Sequence, residues 1–247
     1  MTAERLRLDE RVVALGLADS RTKAQALIMA GQVLVDDVPI DKPGTRVRDD
    51  AVLRLRGVAR RFVSRGGDKL EGALADLGID PSGKLCLDVG ASTGGFTDCL
   101  LQRGARRVVA VDVGYGPLDA KLRVDPRVVV RERINARNLE ASQVQGPVEL
   151  VVADVAFISL RLVVPALATV APRAEWLLLV KPQFEVGREQ VGKGGVVRDD
   201  ALRTAAVESV RGAAEGLGWQ QIARADSRVA GPKGNREIFL HLRNGES

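Results

Sequence analysis

The sequence predicts an α/β protein, a doubly wound and mostly parallel sheet preceded by a small α+β unit. Three observations carry this. Beyond residue 67, apolar runs such as "LCLDVG", "RVVAVDVG", "VELVVADVAF" and "EWLLLVKPQ" alternate with helical stretches, as βαβ units do. Before it, two helical repeats are followed by extended runs too short for a sheet of that size. Between them, "GVARRFVSRGG" is basic and glycine-rich, the composition of a connector. The expected organisation is a unit over residues 1–57, a basic linker over 58–67 and a larger domain over 68–247.

In the first unit, Leu8, Val12 and Leu15 recur at helical spacing. Ser20 is a suitable N-cap for a second helix whose Ala24, Leu27 and Ile28 share a face and which stops at Gly31. "QVLVDDVPI" then reads as a strand, an Asp-Asp turn and a short extended piece, and "AVLRLRG" alternates apolar residues with arginine. In the larger domain the order is helix "DKLEGALADLG", strand "LCLDVG", helix "GGFTDCLLQRG", strands "RVVAVDVG", "RVVVRER" and "VELVVADVAF", helix "SLRLVVPALATV", strand "EWLLLVKPQ", helix "DALRTAAVESVRGAAEGLG", and a closing pair "WQQIARADS" and "REIFLHL". The closing pair suggests a hairpin.

Charge narrows the partners. Residues 1–67 hold 13 Lys/Arg against 9 Asp/Glu, and between Lys42 and Arg65 the ratio is eight to two. Such a strip suits a polyanion. The opening "MTAERLRLDERVV" places charges where a signal peptide needs an apolar core, and no uncharged apolar run approaches the ~18 residues of a membrane helix. The expectation is a cytoplasmic protein without a membrane partner. Cys86 and Cys99, the only cysteines, fit neither a disulfide framework nor a metal cluster, and His241 is the single histidine, so no metal is expected. Catalysis would fall to Asp, Glu, Lys or positioning.

One turn carries the chemistry. In "DVGASTGGF" the glycines run Gly90-x-x-x-Gly94-Gly95, which is not the G-x-G-x-x-G of a pyrophosphate-binding turn. Asp88, ending the strand, would repel phosphate but suits a ligand with an amino group and a sulfonium, such as S-adenosylmethionine. Asp112, ending the next strand, can accept hydrogen bonds from a ribose diol, which NAD would also offer. A nucleotide cofactor or a purely structural turn would use the same residues. After the fourth strand stands Asp154-Val155-Ala156-Phe157 rather than the Asn/Asp-Pro-Pro-aromatic run of amino-methylating enzymes, and no cysteine lies there for base-carbon methylation. Lys69, Asp154, Lys181 and Glu237 instead fall at helix starts and strand ends, which converge on the ligand crevice of such sheets. Lys181 precedes Pro182 and is held extended. "KPQFEVGREQVGKGGVVRD" is too rich in glycine and charge to be core and reads as a loop over the site, with Arg188, Lys193 and Arg198 available to phosphates.

Two resemblances add to this. "RLD" near residues 5–9, "SRTKAQALIMAGQVLVDD" and the closing basic strand resemble the alpha-L RNA-binding motif of a small-subunit ribosomal protein, pseudouridine synthases and tyrosyl-tRNA synthetases. It implies RNA contacts by Arg5, Arg21, Lys23 and Gln25, with Arg65 closing the basic strip. "VSRGGDKLEGAL", "LDVGASTGGFTDCLL", "VDVGYGPL", "DPRVVVRERINAR", "VVADVAFISL", "VKPQFEVGREQVGKGGVVRD" and "GPKGNREIFL" resemble, in order, the TlyA family of ribosomal RNA ribose methyltransferases, whose catalytic domain is FtsJ-like (RrmJ-like). The resemblance implies a Rossmann-like methyltransferase sheet with one reversed strand and S-adenosylmethionine held by Asp88, Gly90, Ala91, Ser92, Gly94, Gly95, Phe96, Asp112 and Asn135. It also implies a catalytic set of Lys69, Asp154, Lys181 and Glu237 acting on a cytidine 2′-hydroxyl in ribosomal RNA within ribosomal subunits. The chain departs from the family at Ala156, commonly serine, and at Asp68, where an uncharged residue or histidine is expected. The family also carries a haemolysin label. The rival expectations are a non-catalytic RNA-binding factor, which would lack one of the four polar positions, and a membrane-active protein, for which no helix has a broad aromatic-rich apolar face opposite a basic one.

Overall fold

The computed structural model describes residues 5–48, 51–57, 61–192 and 194–245. The chain divides into two compact units, Met1–Arg60 and Arg61–Ser247.

The first unit contains β1 (Arg5–Arg7), α1 (Leu8–Ala14), α2 (Arg21–Met29), β2 (Val33–Val35), β3 (Val38–Pro39), β4 (Arg46–Arg48) and β5 (Leu53–Leu55). Ser20 caps α2, accepting from the Lys23 amide at 3.3 Å. Asp36 and Asp37 turn β2 into β3 at φ 48° and 70°, the left-handed pair that a tight hairpin demands. β3, β2 and β5 form one small sheet, while β1 and β4 form an antiparallel ribbon with Arg5 opposite Arg48 and Arg7 opposite Arg46. Leu8, Val12, Ala24, Ile28 and Val33 make the core. Inside it Asp9, fully buried, accepts from Arg7, Arg21 and Gln25 and from the Glu10 amide.

The second unit runs α3 (Arg65–Leu77), β6 (Leu85–Val89), α4 (Gly95–Gln102), β7 (Arg107–Val111), α5 (Ala120–Arg123), β8 (Val128–Arg131), β9 (Leu150–Ala153), α6 (Val164–Val170), β10 (Glu175–Val180), α7 (Pro182–Glu185), α8 (Asp200–Glu215), β11 (Trp219–Asp226) and β12 (Ile238–Asn244). α3 begins inside the stretch read as a linker. Phe62 is buried in this unit's core, and a Cβ on Gly67 would overlap its ring. Burial of an aromatic side chain thus draws residues 61–67 into the larger unit. The rest of the expected linker, residues 58–60, lies outside the described residues.

The sheet order is β11-β12-β10-β9-β6-β7-β8. β6 to β10 are parallel, and β12 runs antiparallel to both neighbours. The closing strands do pair with each other, but the last one slots inside the sheet and leaves β11 at the edge. Side-chain alternation splits the core in two. Leu87, Val89, Val111, Ala153 and Val180 face α6 and α8, whereas Cys86, Ala110, Val152, Leu179 and Phe239 face α3 and α4. Carrying that alternation one step past the strand ends gives Asp112, Asp154, Lys181 and Glu237 the parity of the α3/α4 face. Register adds proximity, for Val180 opposes Ile238, so Lys181 and Glu237 follow as neighbours on adjacent strands. The segment expected as a loop over the site carries α7, a turn at Arg188–Gln190 and a bridge between Gly192 and Val196.

Among the described residues no helix is long and apolar enough to cross a membrane, and no group of three or more His, Cys, Asp or Glu could hold a metal ion.

Candidate active site

Two lysine–carboxylate pairs stand at the carboxyl ends of the parallel strands. Asp154 follows β9 directly and Lys181 follows β10, and Lys181 Nζ lies 2.5 Å from Asp154 Oδ1. Lys69, on the first turns of α3, reaches Glu237 Oε2 at 2.5 Å. Lys69 and Glu237 are buried, while Asp154 and Lys181 keep partial exposure. One pair is thus enclosed and the other opens to solvent, as a group meeting a substrate must. The four residues expected to act together occur as two ion pairs on one face. Gly231 admits Glu237, since a Cβ there would overlap its Oε1, an oxygen that has no hydrogen-bond partner.

The glycine turn lies beside them. Gly90 and Gly94 adopt φ 85° and 93°, and a Cβ on Gly90 would come within 2.5 Å of the Asp154 carbonyl oxygen. Only glycine permits both that backbone and that approach. Ser92, also left-handed at φ 50°, donates its amide to Asp112 Oδ2 at 2.8 Å. Asp112 Oδ1 accepts from the Gly114 amide at 2.7 Å, so this carboxylate ties the turn after β6 to the loop after β7. Asn135 caps a short helical turn through the Arg137 amide. Gly95 starts α4 against α3, where a Cβ would overlap Ser64 Oγ.

Three expected cofactor residues point inward. Phe96 is buried and stacks on Phe239 at 6.1 Å, because the start of α4 lies over β12. Ala91 is buried too. Asp88 is fully buried, with Oδ2 accepting from Thr97 Oγ1 at 2.6 Å and Oδ1 unpartnered. Burial pushes its carboxyl up to about 7, opposed by the Thr97 hydrogen bond and reinforced by the charges of Asp154 and Asp112. Three carboxylates at the ends of β6, β7 and β9 make a region that favours a cation. These donors and acceptors fit an amino-acid sulfonium ligand with a ribose.

Cys86 and Cys99 are buried free thiols, Cys86 pushed up to about 12 by burial. Neither offers a thiolate.

The residues read as RNA contacts divide. Arg5 and Arg188 are exposed, and Arg65 is partly so. Lys23 is exposed but pairs with Asp19 at 2.8 Å. Arg21 and Gln25 donate to Asp9 at 3.0 and 2.8 Å, which holds the start of α2 against α1. Lys193 lies outside the described residues.

Other residues at the site escaped sequence reasoning. Thr97 holds Asp88. Glu185 holds Ser159 and Leu160. Asn235, buried, accepts from the Val197 amide and donates to the Gly195 carbonyl, pinning the glycine-rich loop beside Glu237. Phe157 is 93% exposed at φ 63° and lies 5.3 Å from the Phe184 ring. Only Phe157 had a signal, a bulky apolar residue three positions after a strand-end acid.

Comparison with known proteins agrees with this geometry. The FtsJ-like methyltransferase family matches residues 62–244, and the S4 domain matches residues 6–53. The chain is 53% identical over 243 residues to the 16S/23S rRNA (cytidine-2′-O)-methyltransferase TlyA of Mycobacterium tuberculosis, covering 98% of this chain and 91% of that protein. It is 41% identical to Hemolysin A of Brachyspira hyodysenteriae, covering 96% and 99%. A solved structure from Streptococcus thermophilus that carries the hemolysin name superposes with a TM-score of 0.77 at 40% identity, covering 100% of this chain and 90% of that one. The chain therefore belongs to the FtsJ-like methyltransferase family and carries an S4 domain ahead of its catalytic sheet.

Proposed function

We propose that this enzyme transfers a methyl group from S-adenosylmethionine to the 2′-hydroxyl of a cytidine in ribosomal RNA, in the cytoplasm and on ribosomal subunits. The large-subunit RNA is the first target and small-subunit RNA a further one. The observation that carries the reading is the Asp154–Lys181 pair, partly open at the ends of two adjacent parallel strands and backed by the buried Lys69–Glu237 pair. Relatives named for cytidine-2′-O-methylation, matched over nearly the whole chain, supply the substrate class.

Asp112, the backbone of Gly90 to Gly95 and the acidic strand ends would hold the cofactor, with Asn135 flanking the same loops. When bound, it supplies an electrophilic methyl group. A ribose hydroxyl is a weak nucleophile and gains from alignment and from help in losing its proton. Lys181 Nζ positions or deprotonates that hydroxyl and stabilises charge developing on its oxygen. Asp154 holds Lys181 in place, and the Lys69–Glu237 pair supports the same face from behind. The exposed ring of Phe157 offers a stacking face to a base.

The first unit would dock the RNA. The exposed Arg5 and Arg46 of the β1–β4 ribbon would offer guanidinium groups to phosphates, while Arg7 is engaged by Asp9 and Glu10. Arg21, Lys23 and Gln25 in the first turns of this unit's second helix would face the RNA with the strip from Lys42, and Arg65, Arg188 and Lys193 would contribute from the catalytic unit.

The test is incorporation of labelled methyl into intact subunits by the full chain, with the label traced to ribose or base. Lys181→Ala should abolish transfer while calorimetry shows unchanged S-adenosylmethionine affinity. Label on a base would overturn the reaction, and a wild-type single-turnover rate in the variant would overturn the role of Lys181.

A further inference from the structure

Glu185 is a buried carboxylate of the catalytic unit that belongs to neither lysine pair. It ends α7, four residues after Lys181, and is 8% exposed. Its Oε2 accepts from Ser159 Oγ at 2.5 Å and its Oε1 from the Leu160 amide at 2.8 Å, with Arg161 Nε 3.9 Å away. Burial raises its pKa, and those two hydrogen bonds and Arg161 oppose the rise. The partners lie five and six residues beyond Asp154.

These contacts close a ring. β9 and β10 are hydrogen-bonded neighbours. One closure is the ion pair Asp154–Lys181 at 2.5 Å. The other is Glu185 on Ser159 and Leu160. Neither connecting segment can hold its shape alone. Residues 155–159 are irregular and include Phe157 at φ 63°, a costly conformation for a bulky residue that persists only where its surroundings enforce it. α7 has four residues, far fewer than a helix needs to persist by itself. Without the outer closure, the loop carrying Asp154 and the turn carrying Lys181 keep only their ion pair and the exposed Phe157–Phe184 contact.

We propose that Glu185 is the positioning residue of the Asp154–Lys181 pair, fixing the loop after β9 to α7 so that Lys181 meets the substrate hydroxyl in one orientation. This rests on the role given to Lys181 above. The carboxylate suits the task because two donors, a hydroxyl and an amide, each meet one acceptor oxygen. A glutamine keeps the Leu160 amide bond through its carbonyl oxygen, and its NH2 can donate to the Ser159 hydroxyl in place of Arg161 Nε, which now donates there.

The test uses the full chain with ribosomal subunits at saturating S-adenosylmethionine. Glu185→Ala should slow single-turnover methyl transfer about a hundredfold, the scale of an ångström-sized misplacement. Cofactor affinity by calorimetry and KM for the RNA should stay at the wild-type value. Glu185→Gln should restore the rate to within about tenfold of wild type, its two hydrogen bonds being retained. Hydrogen exchange over residues 155–160 should quicken in Glu185→Ala and return to normal in Glu185→Gln. A wild-type rate in Glu185→Ala overturns the proposal, as does a loss shared equally by rate and cofactor affinity, or a glutamine variant as slow as the alanine one. A wild-type enzyme that methylates no ribose would overturn the functional reading instead, and the exchange measurement would still decide whether Glu185 tethers the loop.

Discussion

Asp9 in the first unit and Asp88 in the second are both fully buried, yet their carboxyls shift in opposite directions. Asp9 receives two hydrogen bonds from Arg7, one each from Arg21 and Gln25, and one from the Glu10 amide. Arg7 most of all holds it well below the usual carboxylate range. Asp88 has a hydroxyl on one oxygen and nothing on the other, and burial pushes it up to about 7. Burial alone therefore does not decide the charge of a carboxylate, because the number of donors does. Asp9 has donors on both of its oxygens, whereas Asp88 Oδ1 has none.

The first test of that contrast is Asp9→Ala. Removing the carboxylate deletes hydrogen bonds to a buried charge while Arg7 and Arg21, 38% and 52% exposed, return to water, which should cost about 1.5–3 kcal/mol. Chemical unfolding of the first unit measures this, and a loss below about 1 kcal/mol would mean that solvent already reaches the cluster.

Asp88→Asn should act the other way. A folded-state pKa raised to about 7 gives stability that is present below the unfolded pKa and lost as pH rises through 7. The asparagine variant escapes that loss, so its advantage should grow between pH 4 and 8, to at most about 4 kcal/mol. Parallel pH profiles for the two proteins would refute it.

Gly231→Ala probes the space around Glu237 Oε1. The added methyl must displace that carboxylate from Lys69. Overpacking of this kind costs about 1–3 kcal/mol, and methyl transfer should fall by far more than stability predicts. Wild-type turnover in a folded variant would remove the Lys69–Glu237 pair from the mechanism.

The smallest effect is at the opposite end of the sheet. Glu175 accepts from His241 and Arg243, with Lys84 beside it, and its pKa is lowered to about 2, with the His241 bond first among the causes. This stability is present above the unfolded pKa and fades as pH falls through 2. Arg243 and Lys84 reach Glu175 from solvent, where screening weakens their pairing, so Glu175→Gln should cost about 1 kcal/mol at pH 7. The difference should shrink below pH 4, and a penalty that persists at pH 2 would contradict the assignment.

Some of this was legible in the sequence because it is local. β6, β7, β9 and β10 are buried on both faces and read as continuous apolar runs. Ser20 and the Asp36-Asp37 turn announce themselves by residue type. α5 and α7 have four residues each, less than the window in which a helical period can be seen. Periodicity gave α2 its apolar face of Ala24, Leu27 and Ile28 but could not show that Asp9, twelve and sixteen residues before Arg21 and Gln25, would accept from both. Strand ends located Asp154, Lys181 and Glu237. The pairing of Lys69 with Glu237 spans 168 residues, and the partners Thr97, Glu185 and Asn235 follow from packing that no spacing rule encodes.

The position of β12 matters for a chain made in order from its amino end. The last strand written is not the last strand in the sheet, since it lies between β10 and β11. Until it emerges, β10 presents an open edge, β11 has no neighbour, and Lys69 waits for a carboxylate. A growing chain can shape its first unit and the strands β6 to β9 early, since synthesis proceeds at about 5–20 residues per second and domains fold as they appear. Assembly of the lysine–carboxylate face is deferred until Glu237 and β12 have been made, so a product truncated before them would carry a folded first unit and an unfinished second one.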